Sequence, residues 1–446
     1  MRRILILVLL LGGMQLILPL GSQGQGSTAL LAFGLLILAA YSVGELATAV
    51  KLPKIVGYLI AGAILGPSIM GTVSQAGVDR LNPVSELAIA LIAFLAGAEL
   101  KWGEVKKRGV LLLKIMSAEL ALGFVALAVL LYSVHPFIPF LADASRVEVI
   151  AFSILFASIA IVHSPAVTLA LLSETGAKGP VARTTLGVVL LTDVAVVLFF
   201  SVALAIARAL VPPTGVEQVA SFGAVVWEIG GALIVGAALG GAIALYLRFV
   251  SRELMLFAIL IAFLGIELAR IAQVELLLTL LTAGFVSESI SRRGEALRHA
   301  MERSAAPIFV IFFALSGAKI DIADVIPVLP FVIPIALVRA SSIWAGTRLG
   351  ARWARAPEPE KKYVWMGLLS QAGVAIGLAT IVGEAYGEMG VHLRTLLFAL
   401  IAVNETVGPI FFRRALVRSG EAETERPPVR TDRTVVVSEG VGAGTG

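Results

Sequence analysis

One carboxylate is set apart by its position. Asp193 lies in Leu190-Leu191-Thr192-Asp193-Val194-Ala195-Val196-Val197, inside an apolar run over 182–208. About nine residues of helix, ~14 Å of rise, precede it, which puts it near a bilayer midplane, where an ionised carboxylate costs several kcal/mol. Just upstream, the apolar stretch 147–173 is interrupted at His163-Ser164-Pro165. Proline removes a backbone donor, and the carbonyls it frees must bond within the protein or line a watery cavity, because lipid offers no partner. A broken helix beside a midplane acid is the pattern of an ion site, with Asp193, Thr192 and Ser164 as the oxygens that would hold the ion.

Other polar residues in apolar segments are candidates for the same site. Arg339 lies about thirteen residues into its helix and cannot lose its proton, so it reads as a static charge that compensates half-helix dipoles or an acid. Glu119, about ten residues into 109–134, or Asp193 itself, is its expected partner. His163 changes charge near pH 6.5 and reads as either a pH sensor or a neutral cap for free backbone groups. Asn404 reads as a helix-to-helix hydrogen bond, with direct cation contact as the alternative, and Glu405 as the acid partner of Arg339 or a packing group. Lys114 sits near a segment end, where its stem would snorkel.

The elements that must position these residues are membrane helices. Hydrophobic residues make up 58% of the 446 and charged residues 15%, and the mean hydropathy is +0.96. Such a chain has too little polar surface to be soluble and reads as an all-α polytopic membrane protein. There are no cysteines, which excludes disulfides and thiol chemistry. The net charge of +5 falls at segment ends rather than on one basic face, as topology signals do.

Residues 1–26 begin with Met1-Arg2-Arg3 and an apolar run to about Leu20, and read as a signal peptide or an extra spanning helix. Segments able to cross ~30 Å of hydrocarbon follow at roughly 28–49, 55–70, 84–101, 109–134, 147–173 and 182–208, then 222–248, then 253–270, 274–290, 304–318, 326–350, 362–385 and 391–413. Loops holding Lys51 and Lys54, Lys101 and Lys106 to Arg108, Lys178 and Arg183, Arg248 and Arg252, Arg292 to Arg303, Arg352 to Lys362 and Arg413 to Arg418 alternate with loops poor in Lys and Arg. The positive-inside rule makes the basic loops and the carboxyl end cytoplasmic. About thirteen helices, as six, a linker helix (222–248) and six more, is the arithmetic of two inverted repeats, 28–208 and 253–413, within a transmembrane domain spanning 27–413. The fifth segment of the second half carries Ser370-Gln371-Ala372-Gly373-Val374-Ala375-Ile376-Gly377, so Gln371, Gly373 and Gly377 mark a second helix break opposite His163 and Pro165. The tail 414–446 is acidic, Pro- and Gly-rich, and reads as a disordered cytoplasmic segment.

Several ordered stretches carry a family resemblance. Ile55-Val56-Gly57-Tyr58-Leu59-Ile60-Ala61-Gly62-Ala63-Ile64-Leu65-Gly66-Pro67, Leu91 to Leu100 with Ala96-Gly97-Ala98-Glu99, Pro307 to Gly317 and Asn404-Glu405-Thr406-Val407-Gly408-Pro409 resemble the motifs of Kef-type monovalent cation:proton antiporters, over roughly 28–413. That resemblance implies a dimeric elevator-type exchanger in which a core with two crossed, unwound helices moves against a panel forming the dimer interface. By position, the core would be 109–134, 147–173, 182–208, 326–350, 362–385 and 391–413. The family commonly has Asp-Asp, Asn-Asp or Gln-Asp where this chain has Thr192-Asp193, and a threonine, serine or aspartate near its His163-Ser164-Pro165, which leaves the choice of cation open.

The expected function is therefore H⁺ exchange for Na⁺ or K⁺, with Asp193 as the shared proton and metal-cation site. A cation channel, a sodium-coupled symporter or a receptor on the same scaffold are the alternatives. An enzyme is not expected: no Gly-rich phosphate loop follows a strand, His135, His163, His299 and His392 are scattered, and no cofactor motif is found. The expected setting is the cell membrane, read as a prokaryotic inner membrane crossed several times, with a homodimer as the assembly and no nucleic acid as partner.

Overall fold

The structure, a computed structural model, describes residues 25–99, 102–212, 222–249, 254–291, 294–320, 322–371 and 373–422. The expectations for the leader before Gln25 and for the tail beyond Ala422 lie outside the described residues. Within them the regular elements are helices: α1 (Gln25–Ala49), α2 (Lys54–Leu65), α3 (Gln75–Arg80), α4 (Asn82–Glu99), α5 (Trp102–Val134), α6 (Arg146–Ala160), α7 (Pro165–Thr175), α8 (Pro180–Leu210), α9 (Phe222–Phe249), α10 (Leu254–Ala272), α11 (Leu276–Ile290), α12 (Gly294–Ala318), α13 (Ile322–Trp353), α14 (Glu358–Gly367), α15 (Gly373–Ala385) and α16 (Gly387–Arg418). A single 3-10 turn, His135–Phe137, follows α5. Among the described residues, eight helical stretches are long and apolar enough to cross a bilayer, and shorter apolar helices stand beside them. Backbone groups in lipid have no other way to be satisfied, and the all-helical fold follows.

Local chemistry sets the ends nearest the site. Ser145 and Glu148 form a reciprocal capping box that starts α6. Ser164 caps α7, with Pro165 in its first turn, where a missing N–H costs nothing, and Gly176 closes it at φ 67°. Pro180 occupies the same first-turn place in α8.

The expected stretches 147–173 and 362–385 are each two half-helices. The first gives way at 161–164 and the second at 368–371. Gly377 is not part of the second break. It lies inside α15, a turn after its start, because a lone glycine weakens a helix by only about 1 kcal/mol, too little to end one whose backbone is otherwise bonded. The prolines at 327, 330, 334 and 409 likewise stay inside α13 and α16.

Two packing groups emerge from the contacts. In one, α1 packs on α2, α2 on α12, α4 on α11 and α12, and α11 on α9. In the other, α5 packs on α13 and α6, α6 on α8, α13 on α16, and α14 on α8 and α16. Close backbone approach holds the first group together. A Cβ at Gly97 would collide with the Leu281 carbonyl and one at Gly284 with that of Phe94, while Gly62 and Gly317 meet the Ala314 and Leu59 carbonyls in the same reciprocal way. Small residues let helices meet this closely where lipid supplies no hydrophobic drive.

Candidate functional site

The two helix breaks meet at the centre of the second group. Ending α6 and α14 inside the membrane leaves carbonyls without intrahelical donors and gathers the negative ends of two helix dipoles in one place. Arg339, on α13 and 1% exposed, answers both. Its Nε donates to the Ala160 carbonyl (2.6 Å), one terminal nitrogen to Leu369 (2.7 Å) and the other to Val162 (2.9 Å). Gln371 adds a second donor to the Ala160 carbonyl (2.9 Å) and accepts from the Asn404 amide (2.8 Å), which ties α16 to the break. The breaks are therefore cross-linked side chain to backbone rather than left to water.

Of the two expected roles of Arg339, compensating half-helix dipoles or pairing with an acid, the hydrogen bonds match the first: they go to carbonyls, not to Glu119, Asp193 or Glu405, while Glu119 is near enough to attract the guanidinium through space. Glu119 instead faces His163, Nε2 to Oε2 at 3.1 Å, with both side chains fully buried. His163 thus bonds a carboxylate and not the free backbone. The other Glu119 oxygen and the other His163 nitrogen have no partner among the described residues. Glu405 is buried, with one carboxylate oxygen unpartnered. Lys114 reaches the Trp353 carbonyl and ring near the ends of α5 and α13.

Asp193 projects from α8 between the two packing groups. It lines one cavity with His163, Ser164 and Pro165 of the first break, Ile92 and Ala93 of α4, and Val374 of α15. It also lines a second cavity with Val197, Ile229 of α9, and Glu275 and Leu278 of α11. Asp193 Oδ1 is buried and has no hydrogen-bond partner among the described residues. Ser164 shares the first cavity, while its hydroxyl accepts the Val167 N–H and its carbonyl accepts from Thr168. Thr192 is fully buried with an unpartnered hydroxyl, but it lines neither cavity, because consecutive residues on a helix point about 100° apart. Gly373 opens α15 beside the second break.

Glu275 was not legible as a site residue. The sequence reading places it second in the segment 274–290, whereas the structure has it in the three-residue turn 273–275 between α10 and α11. Its one sequence signal is that it immediately precedes an apolar run, the place of a helix N-cap. The structure has it capping α11 by accepting the Leu278 N–H, and its own N–H bonds the carbonyl of Glu228 on α9.

Residues 33–416 match the model of the family described as "Sodium/hydrogen exchanger, transmembrane". Among solved structures, the chain is similar to the sodium proton antiporter MjNhaP1 from Methanocaldococcus jannaschii at pH 8, with a TM-score of 0.63, 16% identity, and coverage of 88% of this chain and 96% of that one. A second structure of the same antiporter, from an electron-microscopy map, gives a TM-score of 0.70 at 15% identity over 88% and 98% of the two chains. At such identities the likeness concerns the fold. A curated relative, the iron transporter MagA of Paramagnetospirillum magneticum, is 32% identical over 163 residues, 36% of this chain and 34% of the relative. The chain thus aligns with about a third of that relative's length.

Proposed function

Since this chain belongs to the sodium/hydrogen exchanger family, we propose that it is a secondary antiporter that exchanges protons for a monovalent cation, Na⁺ or K⁺, with Asp193 as the shared site. One observation carries the reading: a carboxylate oxygen is buried without a fixed partner on the wall of a cavity at a broken helix. A group so placed is stable only with a proton or a cation on it, so each ligand displaces the other. Ser164 would add neutral oxygens, and His163, held by Glu119 behind it, would form part of the wall.

The groups described above supply the moving and fixed parts. The α5–α8 and α13–α16 group would carry Asp193 and the two breaks as a core, sliding against the α1, α2, α4 and α9–α12 panel, which would also join two copies into a homodimer. Alternating access of this kind fits one midplane acid better than a continuous pore does. The two halves, 28–208 and 253–413 about the linker helix, would be inverted repeats, and the motif pattern favours the Kef-type branch. The chain would lie in a cell membrane with its carboxyl end in the cytoplasm, as the Lys and Arg loops require.

With threonine at 192 and the charge of Arg339 bound to carbonyls, a single group changes charge per cycle, which makes the exchange one-for-one and electroneutral. The relative named for iron transport raises a divalent substrate, yet no group of three or more His, Asp or Glu side chains able to hold such a metal is found among the described residues. Everted vesicles test the reading: an acid-interior gradient should collapse on adding Na⁺ or K⁺ and stay unchanged with choline. Collapse with Fe²⁺ alone would overturn the monovalent assignment.

A further inference from the structure

We propose that Glu275 is a fixed cation station on one side of the membrane, which hands the ion to Asp193 when the two face the same cavity. The inference rests on the antiporter reading and adds a residue to it. In the second cavity the residues that line the wall are apolar except for Asp193 and Glu275, and no Lys or Arg is among them. One Asp193 oxygen is buried there without a partner. Two carboxylates facing one low-dielectric space repel unless a cation or a proton comes between them. A cavity with a carboxylate on each of two walls and no Lys or Arg side chain on either, the start of α11 offering only its partial positive charge to Glu275, suits a cation guest.

Its position fixes which side it serves. Glu275 caps the start of α11, at the turn after α10, and shares the cavity with Leu190, Asp193, Val194 and Val197 of α8. With alternating helix directions the turn after α10 falls on the same face as the Leu210 end of α8, away from Lys178 and Arg183, on the side poor in Lys and Arg. The N-cap hydrogen bond to Leu278 and the bond from the Glu275 N–H to Glu228 hold it to α11 and α9, whereas Asp193 rides on α8. When α8 slides toward the basic side, Asp193 leaves and Glu275 stays. Because Glu275 does not cross the membrane, it adds no charge to the transported count and the exchange remains electroneutral.

The test is sidedness. Glu275→Asn removes the charge but keeps a good N-cap residue, and Glu275→Asp keeps both. In right-side-out and everted vesicles of known orientation, half-saturating Na⁺ and K⁺ are measured from each face. Glu275→Asn should raise the half-saturating concentration about tenfold on the face poor in Lys and Arg and leave the basic face within about twofold, and Glu275→Asp should restore most of the loss. An equal change on both faces, a complete loss of exchange or no change on either would overturn the station. If the wild type exchanges neither cation for protons in either preparation, the antiporter reading falls and the station with it; wild-type exchange with an unshifted Asn variant removes the station alone.

Discussion

Replacing Arg339 separates two ways in which a buried cation can stabilise this fold. It donates three charge-assisted hydrogen bonds, at 2.6, 2.7 and 2.9 Å, to carbonyls at the ends of α6 and α14 and in the first break. In Arg339→Leu, the Ala160 carbonyl keeps the Gln371 amide, but Val162 and Leu369 lose their arginine donor. Two buried acceptors left unsatisfied cost about 1–3 kcal/mol each, so the variant should lose about 2–6 kcal/mol. Arg339→Lys should fall between, since an ammonium is a point donor that cannot serve three carbonyls set around a planar fork. Unfolding titrations in mixed detergent micelles measure these losses. A double-mutant cycle with Asp193→Asn then decides the partner. If the arginine serves carbonyls, the two losses should add to within about 0.5 kcal/mol. If Asp193→Asn instead recovers a kcal/mol or more in the Arg339→Leu background, the arginine is the counter-charge of Asp193 and the reasoning fails, as it does if Arg339→Leu is as stable as the wild type.

Four further outcomes follow from the same geometry. Asp193→Asn keeps the shape of the site and removes its charge, so proton-coupled cation flux in vesicles should drop to the level of vesicles lacking the protein; flux at the wild-type rate would end its role as the shared site. Imposing a potassium–valinomycin potential on reconstituted liposomes should leave the rate unchanged, although voltage is worth ~2.3 kcal/mol per charge per 100 mV for any net charge moved; a clear acceleration or slowing would show a second titrating group. His163→Ala strips Glu119 of its partner and should cost about 1–3 kcal/mol, much of which Glu119→Leu should return in the double variant; additive losses, read by the same detergent titration, would refute the pair. Gly97→Val should prevent folding, judged by monodispersity in detergent, while Gly34→Ala, which meets nothing nearby, should be indistinguishable from the wild type.

Much of the helical layout was readable because bilayer thickness and apolar length are tightly linked. The 222–248, 182–208 and 326–350 windows fall inside α9, α8 and α13. The two breaks were readable for different reasons. Pro165 announces the first by its missing donor, and the polar Ser370-Gln371 step announces the second, whereas Gly377 misled because helix propensity is weak beside tertiary bonding. The role of Arg339 at the half-helix ends was readable as one of two alternatives, but the particular carbonyls were not, because sequence does not say which freed carbonyls a distant side chain will reach. Glu275 was hidden for a related reason: its proposed role comes from the cavity it lines with residues of α8, α9 and α11, and no local pattern records that enclosure.

The assignment of the arginine bears on the ion chemistry directly. A guanidinium beside the ion site would hold Asp193 ionised, and the site would then be satisfied without any ligand. Here the donors of Arg339 point at three carbonyls, and Glu119 has His163 as its neighbour, so the fixed positive charge is engaged with the ends of the half-helices. Asp193 is left with a buried oxygen that has no partner among the described residues, and in the proposed site a mobile ligand would supply what is missing. A proton does so by neutralising the carboxylate, a cation by pairing with it, and the empty state is the costly one. In the proposed exchange that cost is the coupling: a core that slides with Asp193 bare would drag an uncompensated charge past the apolar residues of the panel, so only the loaded forms cross. In that proposed exchange the network around Arg339 would serve transport by engaging its charge with the half-helix ends instead of the acid.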